Sequence, residues 1–267
     1  MRTLKDLMDL NGRVAIVTGG AGNIGSAMAE ALLELNARVI VHDVSEEACR
    51  SVVEGFQSRG FPQAESRIAD LADEEQTRAL VRSCAADYGR LDILIHSAAF
   101  VDTTRFPGWA EPITKQSVQA WDAALRVNVT AAFVMVQEAI PLLKASGHGS
   151  VIFIASIYGL VAPDMSLYEG TSMQKPAAYC ASKGGLLQLM RYFATILAPR
   201  VRVNAITPGG VWRNQPEVFC ERYKKKTPLD RMAVEEDYKG AAAYLASDLS
   251  AYVTGHNLVV DGGWTAW

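Results

Sequence analysis

Val14-Ala-Ile-Val-Thr-Gly-Gly-Ala-Gly-Asn-Ile-Gly25 is the stretch on which the reading of this chain turns. Its first four residues are apolar and rich in β-branched side chains, the pattern of a short buried strand, and they run straight into a glycine cluster. From Ile24 to Leu35 apolar residues recur at helical spacing, and the pattern closes at Asn36. Strand, tight turn and helix in that order bring glycine backbone and unpaired helix N–H groups together, which suits an anion such as a pyrophosphate. Glycine also serves ordinary turns, so its position in the chain and an acidic partner must carry the argument.

Working outward, Val39-Ile-Val41 supplies a second strand ending at Asp43, and Ser45 followed by Glu46 and Glu47 reads as a capped helix start. Further strands are expected at Ala64 to Ile68, Ile93 to Ile95, Val151 to Ile154, Val201 to Asn204 and Leu258 to Val260. Helices are expected at about Asp73 to Tyr88, as one long rod at about Val118 to Ala145, and at about Ala177 to Leu197. Such alternation implies a parallel sheet covered on both faces, with ligands at the carboxyl ends of the strands. Two long irregular segments, Phe100 to Lys115 and Ile157 to Lys175, each follow a strand.

The 267 residues, 49% hydrophobic, suffice for one large α/β domain spanning 1–267. A formal net charge of -3 offers no positive field for nucleic acid or an anionic membrane. No secretory signal is expected in Met1 to Gly12, and no stretch elsewhere is expected to span a bilayer. Cys49, Cys84, Cys180 and Cys220 match no metal or disulfide spacing, so no metal is expected and they read as reduced thiols in a cytoplasmic protein.

Asp43 lies 24 residues past Gly19, at the end of the second strand, where a carboxylate accepts hydrogen bonds from the ribose hydroxyls of an adenosine. The same charge repels a 2′-phosphate, and no basic residue stands at Gly20, His42 or Val44 to neutralise one. NAD (NADH) is therefore expected over NADP. Of the tyrosines only Tyr179 has a lysine four residues on, in Tyr179-Cys-Ala-Ser-Lys183 within a helical pattern, so the two share a helix face. A phenol titrates near pH ~10 unless positive charge favours its phenolate. Lys183 can supply that charge.

The chain resembles the classical short-chain dehydrogenase/reductase family. The resemblance rests on the glycine turn, Asp70-Leu71, Leu91-Asp-Ile-Leu-Ile-His-Ser-Ala-Ala99, Asn128, Ser156, Tyr179-Cys-Ala-Ser-Lys183, Val201-Arg-Val-Asn-Ala-Ile-Thr-Pro-Gly209 and Val260-Asp-Gly-Gly263, all in family order. It implies a single-domain Rossmann-type doubly wound parallel sheet of about seven strands, ordered 3-2-1-4-5-6-7, with helices on both faces. It implies a catalytic set in which Tyr179 is the general acid/base and Lys183 binds the nicotinamide ribose and lowers the tyrosine pKa. Ser156 would hold the reacting oxygen, and Asn128 would anchor a water that links Lys183 to solvent. The cofactor would meet Gly19, Gly22, Asn23, Ile24, Gly25, Asp43, Asp70, Leu71, Ser97, Ala98, Ala99, Lys183, Pro208, Gly209 and Val211. A homotetramer or homodimer through the helices at Val118–Ala145 and Ala177–Leu197 is also implied.

Several positions depart from the family pattern. Asn23 replaces the middle glycine of the turn, and asparagine is read here as the residue that tolerates a left-handed backbone. His96-Ser97-Ala98-Ala99 replaces the usual Asn-Asn-Ala-Gly, with His96 expected to be a hydrogen-bonded support. After Pro208-Gly209, where the family often has an amide-binding threonine, this chain has Val211-Trp212-Arg213-Asn214. Asn214 is a candidate replacement, and Arg213 reads either as a partner for a phosphate or carboxylate on the substrate or as a surface arginine.

The Ser156 to Tyr179 spacing of 23 residues is longer than is common in the family. The added loop carries Tyr168, Glu169, Ser172 and Gln174 as hydroxyl-binding groups, with Met165 and Met173 as adaptable apolar contacts. A movable lid is expected over about 213–227. The reading is an oxidoreductase that interconverts a secondary alcohol and a ketone on a small-molecule carbohydrate derivative or polyol. Its rivals are a 3-oxoacyl thioester reductase, against which Asp43 argues, and a non-catalytic dinucleotide-binding regulator.

Overall fold

Each apolar run read as a strand takes its place in one parallel sheet. The computed structural model describes residues 1–101 and 106–267. The sheet comprises β1 (Val14–Thr18), β2 (Arg38–Asp43), β3 (Ala64–Ile68), β4 (Ile93–His96), β5 (Gly149–Ile154), β6 (Val201–Pro208) and β7 (Asn257–Val260). Their spatial order is β3-β2-β1-β4-β5-β6-β7, the expected order, with every neighbouring pair parallel. The helices are α1 (Leu4–Met8), α2 (Asn23–Glu34), α3 (Glu46–Ser58), α4 (Glu74–Tyr88), α5 (Val118–Leu125), α6 (Ala131–Ser146), α7 (Ala177–Leu197), α8 (Glu217–Lys225) and α9 (Lys239–Ala246).

Side chains on a strand alternate between faces, and the two cores follow from that alternation. Ala15, Val17, Val39 and Val41 pack under Met28 and Leu32 of α2, Phe56 of α3 and Leu245 of α9. Ile16, Leu94, Val151 and Phe153 point the other way, against Leu80 of α4, Met135 of α6 and Met190 of α7. Helix starts are fixed by side-chain caps: Ser45 Oγ accepts from Ala48 N at 3.2 Å, Asp73 Oδ1 from Gln76 N at 2.9 Å and Ser117 Oγ from Ala120 N at 3.1 Å.

Four expectations need correction. The rod expected over Val118 to Ala145 is two helices, α5 and α6, joined by a π-helical turn at Arg126–Thr130 that carries the buried Asn128. That whole run is also long and apolar enough to cross a membrane by length and composition, contrary to the sequence reading, and here α6 packs on the sheet as a core helix. Finally, β6 continues to Pro208, four residues beyond Asn204, and α9 stands where no helix was expected.

The cysteines form no disulfide; Cys49, Cys84 and Cys220 are buried, and burial pushes the Cys84 thiol up to about 12. Asn204, fully buried in β6, donates from Nδ2 to Val253 O at 2.9 Å and accepts at Oδ1 from His256 N at 3.0 Å. It ties β6 to the turn that leads into β7. Asn204→Ala leaves two backbone groups unpaired, and a urea titration should show a loss of about 2 kcal/mol with an unchanged m-value.

Candidate functional site

The carboxyl ends of the strands converge on one side of the sheet, and the expected site residues are found along that edge. Gly19, at the end of β1, has a left-handed φ of 62°. The tightest approach is at Gly25, where an added Cβ would lie 2.0 Å from Gly19 O, so only glycine lets α2 begin this close to β1. Gly22 is the N-cap of α2 and supplies no side-chain cap, which leaves the first N–H groups of the helix for a ligand. Asn23 is the first residue of α2 and has no positive φ; the left-handed turn expected there lies at Gly19 instead. Ile24 follows, partly buried against the core.

Across the sheet edge, Asp43 closes β2 between buried His42 and exposed Val44. Asp43 Oδ1 accepts from Val44 N at 2.8 Å. His42 is held below its usual pKa, chiefly by burial, and donates no charge beside it. Asp70 is exposed after β3, with Oδ1 accepting from Ala72 N at 2.9 Å, and Leu71 is buried. Beyond β4, the N–H groups of Ser97 and Ala98 each donate to Thr18 Oγ1 at 3.2 Å, and Ala99 continues the loop. With both N–H groups aimed at it, the Thr18 hydroxyl directs its own proton to His96 Nδ1 at 3.1 Å. His96 is thus a neutral hydrogen-bonded support, as expected, with burial and then Lys183 driving its pKa down to about 3.

Past β5 the chain turns at Ser156, whose Oγ accepts from Tyr158 N at 3.2 Å. The turn lies directly on α7: a Cβ on Gly159 would meet the Lys183 backbone carbon at 2.7 Å. Helix α7 carries Tyr179 and, one turn on, Lys183. Lys183 is buried and donates from Nζ to Ile154 O at 2.7 Å, and its ammonium lies 5.7 Å from the centre of the Tyr179 ring. Asn128 is joined to the same helix through Ser182, since Nδ2 donates to Ser182 Oγ at 2.9 Å and Ser182 Oγ donates to Tyr179 O at 2.8 Å. Its Oδ1 accepts from Phe100 N at 2.6 Å, which fixes the loop after β4. Asn128 is thus tied through Ser182 to the Tyr179 backbone, and the Ser156 turn packs on α7 at Lys183 through Gly159.

Beyond β6, Gly209 N donates to Val260 O at 3.0 Å, anchoring the Pro208-Gly209 turn, and Val211 bridges to Ala233. This seven-stranded sheet with its ligand edge is shared with known proteins. A protein-family model described as "Enoyl-(Acyl carrier protein) reductase" matches residues 19–265. The chain belongs to the short-chain dehydrogenase/reductase family. It is 33% identical to a D-threitol dehydrogenase of Mycolicibacterium smegmatis, over 96% of this chain and 94% of that one. It is 31% identical to the 2,5-dichloro-2,5-cyclohexadiene-1,4-diol dehydrogenase LinX of Sphingobium indicum, over 96% and 97%. A solved gluconate 5-dehydrogenase from Burkholderia cenocepacia, in complex with NADP and tartrate, superposes with a TM-score of 0.86 at 28% identity, covering 99% of this chain and 100% of that one. As a family member this chain is an oxidoreductase that acts on CH–OH groups with a nicotinamide dinucleotide.

The expected substrate residues are distributed differently from the sequence reading. Tyr168 is buried, and its hydroxyl bonds that of Tyr158 at 2.8 Å within an aromatic cluster that also holds Phe219, Tyr223 and Trp264. Glu169 is exposed, and Arg222 of α8 grips its backbone carbonyl at 2.5 Å. Asn214 is exposed in a left-handed turn, φ 57°. The segment expected to be a lid folds as α8 and is packed down by Phe219 and Tyr223, the latter accepting from Gly210 N at 2.5 Å.

Sequence reading missed Lys175, whose Nζ lies 4.7 Å from the centre of the Tyr179 ring and 5.4 Å from that of Tyr158. Its place four residues before Tyr179 was the only available signal, and the pair straddles the start of α7.

Burial lowers Lys183 from 10.5 to about 8. Between those values the unfolded chain holds the extra proton, so this group disfavours folding below about pH 8 and the penalty fades as pH rises towards 10.5. Lys183→Met removes that penalty. The Tm of the variant relative to the parent should therefore fall as pH is raised from 8 to 10.5, a trend that paired melting curves will detect.

Proposed function

We propose that this chain is an NAD-dependent dehydrogenase interconverting a secondary alcohol and a ketone on a sugar or polyol derivative, with residues 1–267 acting as one domain. The observation that carries the reading is the burial of the Lys183 ammonium one helical turn from Tyr179. A buried cation of this kind favours the phenolate form of its neighbour. The glycine approach at Gly25 and the uncapped start of α2 fit a dinucleotide pyrophosphate. When bound, the nicotinamide accepts or supplies the hydride. Tyr179 exchanges the proton at the substrate oxygen, and the Ser156 hydroxyl donates a hydrogen bond to that oxygen. Lys183 would hold the nicotinamide ribose, and Asn128, bonded to both the loop after β4 and Ser182 of α7, would anchor a water linking Lys183 to solvent.

NAD is favoured over NADP by Asp43, which repels a 2′-phosphate, with neutral His42 and apolar Val44 on either side. The NADP in the gluconate 5-dehydrogenase complex belongs to that relative. A polyol or cyclic diol derivative is supported by the names of the threitol and cyclohexadiene-diol dehydrogenases. Val118, Trp121, Phe133, Tyr192 and Ile196 expose apolar surface on α5, α6 and α7, which supports a homodimer or homotetramer through those helices. Thiols without disulfides fit the cytoplasm.

Tyr179→Phe should lower turnover by about 10³-fold while NADH still binds, because only the proton transfer is removed. Retention of parental turnover by that variant, measured on a polyol and sugar panel by NADH absorbance, rules the mechanism out. Replacing Asp43 with Ala and Val44 with Arg together should move the kcat/KM ratio of NADP over NAD upward by about tenfold or more. An unchanged ratio rules out Asp43 as the selector.

A further inference from the structure

Two departures from the family pattern, far apart in sequence, meet in space. With the Asn23 amide turned so that its oxygen faces Arg213, that oxygen accepts from Arg213 Nε at 2.7 Å and from Nη1 at 3.2 Å. Nη1 is also paired with the carboxylate of Glu235, in the short 3-10 turn before α9. Nη2 makes no hydrogen bond or ion pair among the described residues. Arg213 is aimed by a built turn. Trp212 N donates to Ala233 O at 2.9 Å, and Arg213 N donates to Gln215 Oε1 at 2.6 Å. Gln215 Nε2 in turn donates to Val211 O at 2.8 Å, and Asn214 takes the left-handed conformation that reverses the chain.

The guanidinium therefore sits against the first residue of α2, which follows the uncapped Gly22 of the glycine turn. We infer that Arg213 is a cofactor-clasping residue that binds the pyrophosphate of the dinucleotide from the β6 side of the cleft, its guanidinium parked on Asn23 and Glu235 until the phosphates arrive. The inference rests on the dinucleotide reading above and assigns Arg213 to the cofactor rather than to a substrate anion or the open surface.

The chemistry favours the exchange. Asn23 offers a neutral acceptor, whereas a pyrophosphate offers charged oxygens in the geometry a guanidinium matches with two parallel N–H groups. Glu235 can keep Nη1 while Nη2 and Nε turn to the phosphates, so the ion pair orients the fork without being dissolved. Once released, the Asn23 amide can rotate by half a turn and present Nδ2 to a phosphate oxygen.

The test is direct binding to the full chain, read as fluorescence for NADH and as heat for ADP-ribose and adenosine. Arg213→Met should weaken NADH and ADP-ribose by about tenfold or more, as the loss of a charge-assisted pair requires, and leave adenosine unchanged. Arg213→Gln, a milder change at a partly exposed side chain, should do the same and decides the matter if the Met variant does not fold. Parental affinity for ADP-ribose in both variants, or a loss seen only in the KM of the alcohol, overturns the clasp. Failure of the parent chain itself to bind any nicotinamide dinucleotide instead overturns the functional proposal, so the two failures are distinct.

Discussion

An ammonium group buried where β5 ends constrains the rest of this structure. Lys183 has surrendered nearly all contact with water, and burying a charge is costly unless close partners replace the solvent. The Ile154 carbonyl at 2.7 Å and the nearby Tyr179 ring are two such partners, and both must be held in place by secondary structure. The close packing of the Ser156 turn on α7, with Gly159 against the Lys183 backbone, brings the strand end to the lysine. The chain from Phe100 through Asn128 and Ser182 to Tyr179 fixes α7 from its other side. Polar groups linked in this way raise the cost of displacing any one of them.

The alternation of strands and helices was legible because each strand is a short apolar run bounded by turn residues, and buried parallel strands have that signature. Asp73 and Ser45 marked their helix starts through local capping chemistry, which acts within one turn and so can be read from neighbours. Helix α9, Lys239-Gly-Ala-Ala-Ala-Tyr-Leu-Ala246, was not legible: it is short, includes a glycine and has no side-chain cap. Its stability comes from burying Ala242, Leu245 and Ala246 against the α2 side of the core, which is tertiary information. The π turn at Arg126–Thr130 has a similar origin, since Asn128 is buried among partners supplied by the loop after β4 and by α7.

The candidate site divides along the same line. Tyr179 and Lys183 share a helix face by spacing alone, and the glycine turn announces itself through backbone requirements that few residues meet. Contacts between distant segments carry no such mark. Nothing in the sequence near Arg213 points to Asn23, and nothing near Tyr168 announces that its hydroxyl will be taken by Tyr158. The aromatic residues that hold α8 down were likewise scattered across the loop after β5, α8 itself and the C-terminal turn. The loops beyond β5 and β6 therefore resisted reading at the point where the scaffold did not.

His96 links the scaffold to the chemistry. Two basic groups lie close together beneath the cleft, and low dielectric makes it costly for both to be cationic. The imidazole yields: burial and the lysine charge keep it neutral far below physiological pH. Thr18 reinforces the outcome, because its hydroxyl, aimed at by the Ser97 and Ala98 N–H groups, gives its proton to Nδ1 and leaves that nitrogen as an acceptor. A neutral His96 spares Lys183 a competing positive charge, so the lysine's own shift has burial as its sole cause and its midpoint stays at about 8. The substitution of histidine in this strand is thus compatible with a cationic lysine at neutral pH, and the hydroxyl of a β1 threonine is part of what makes it so.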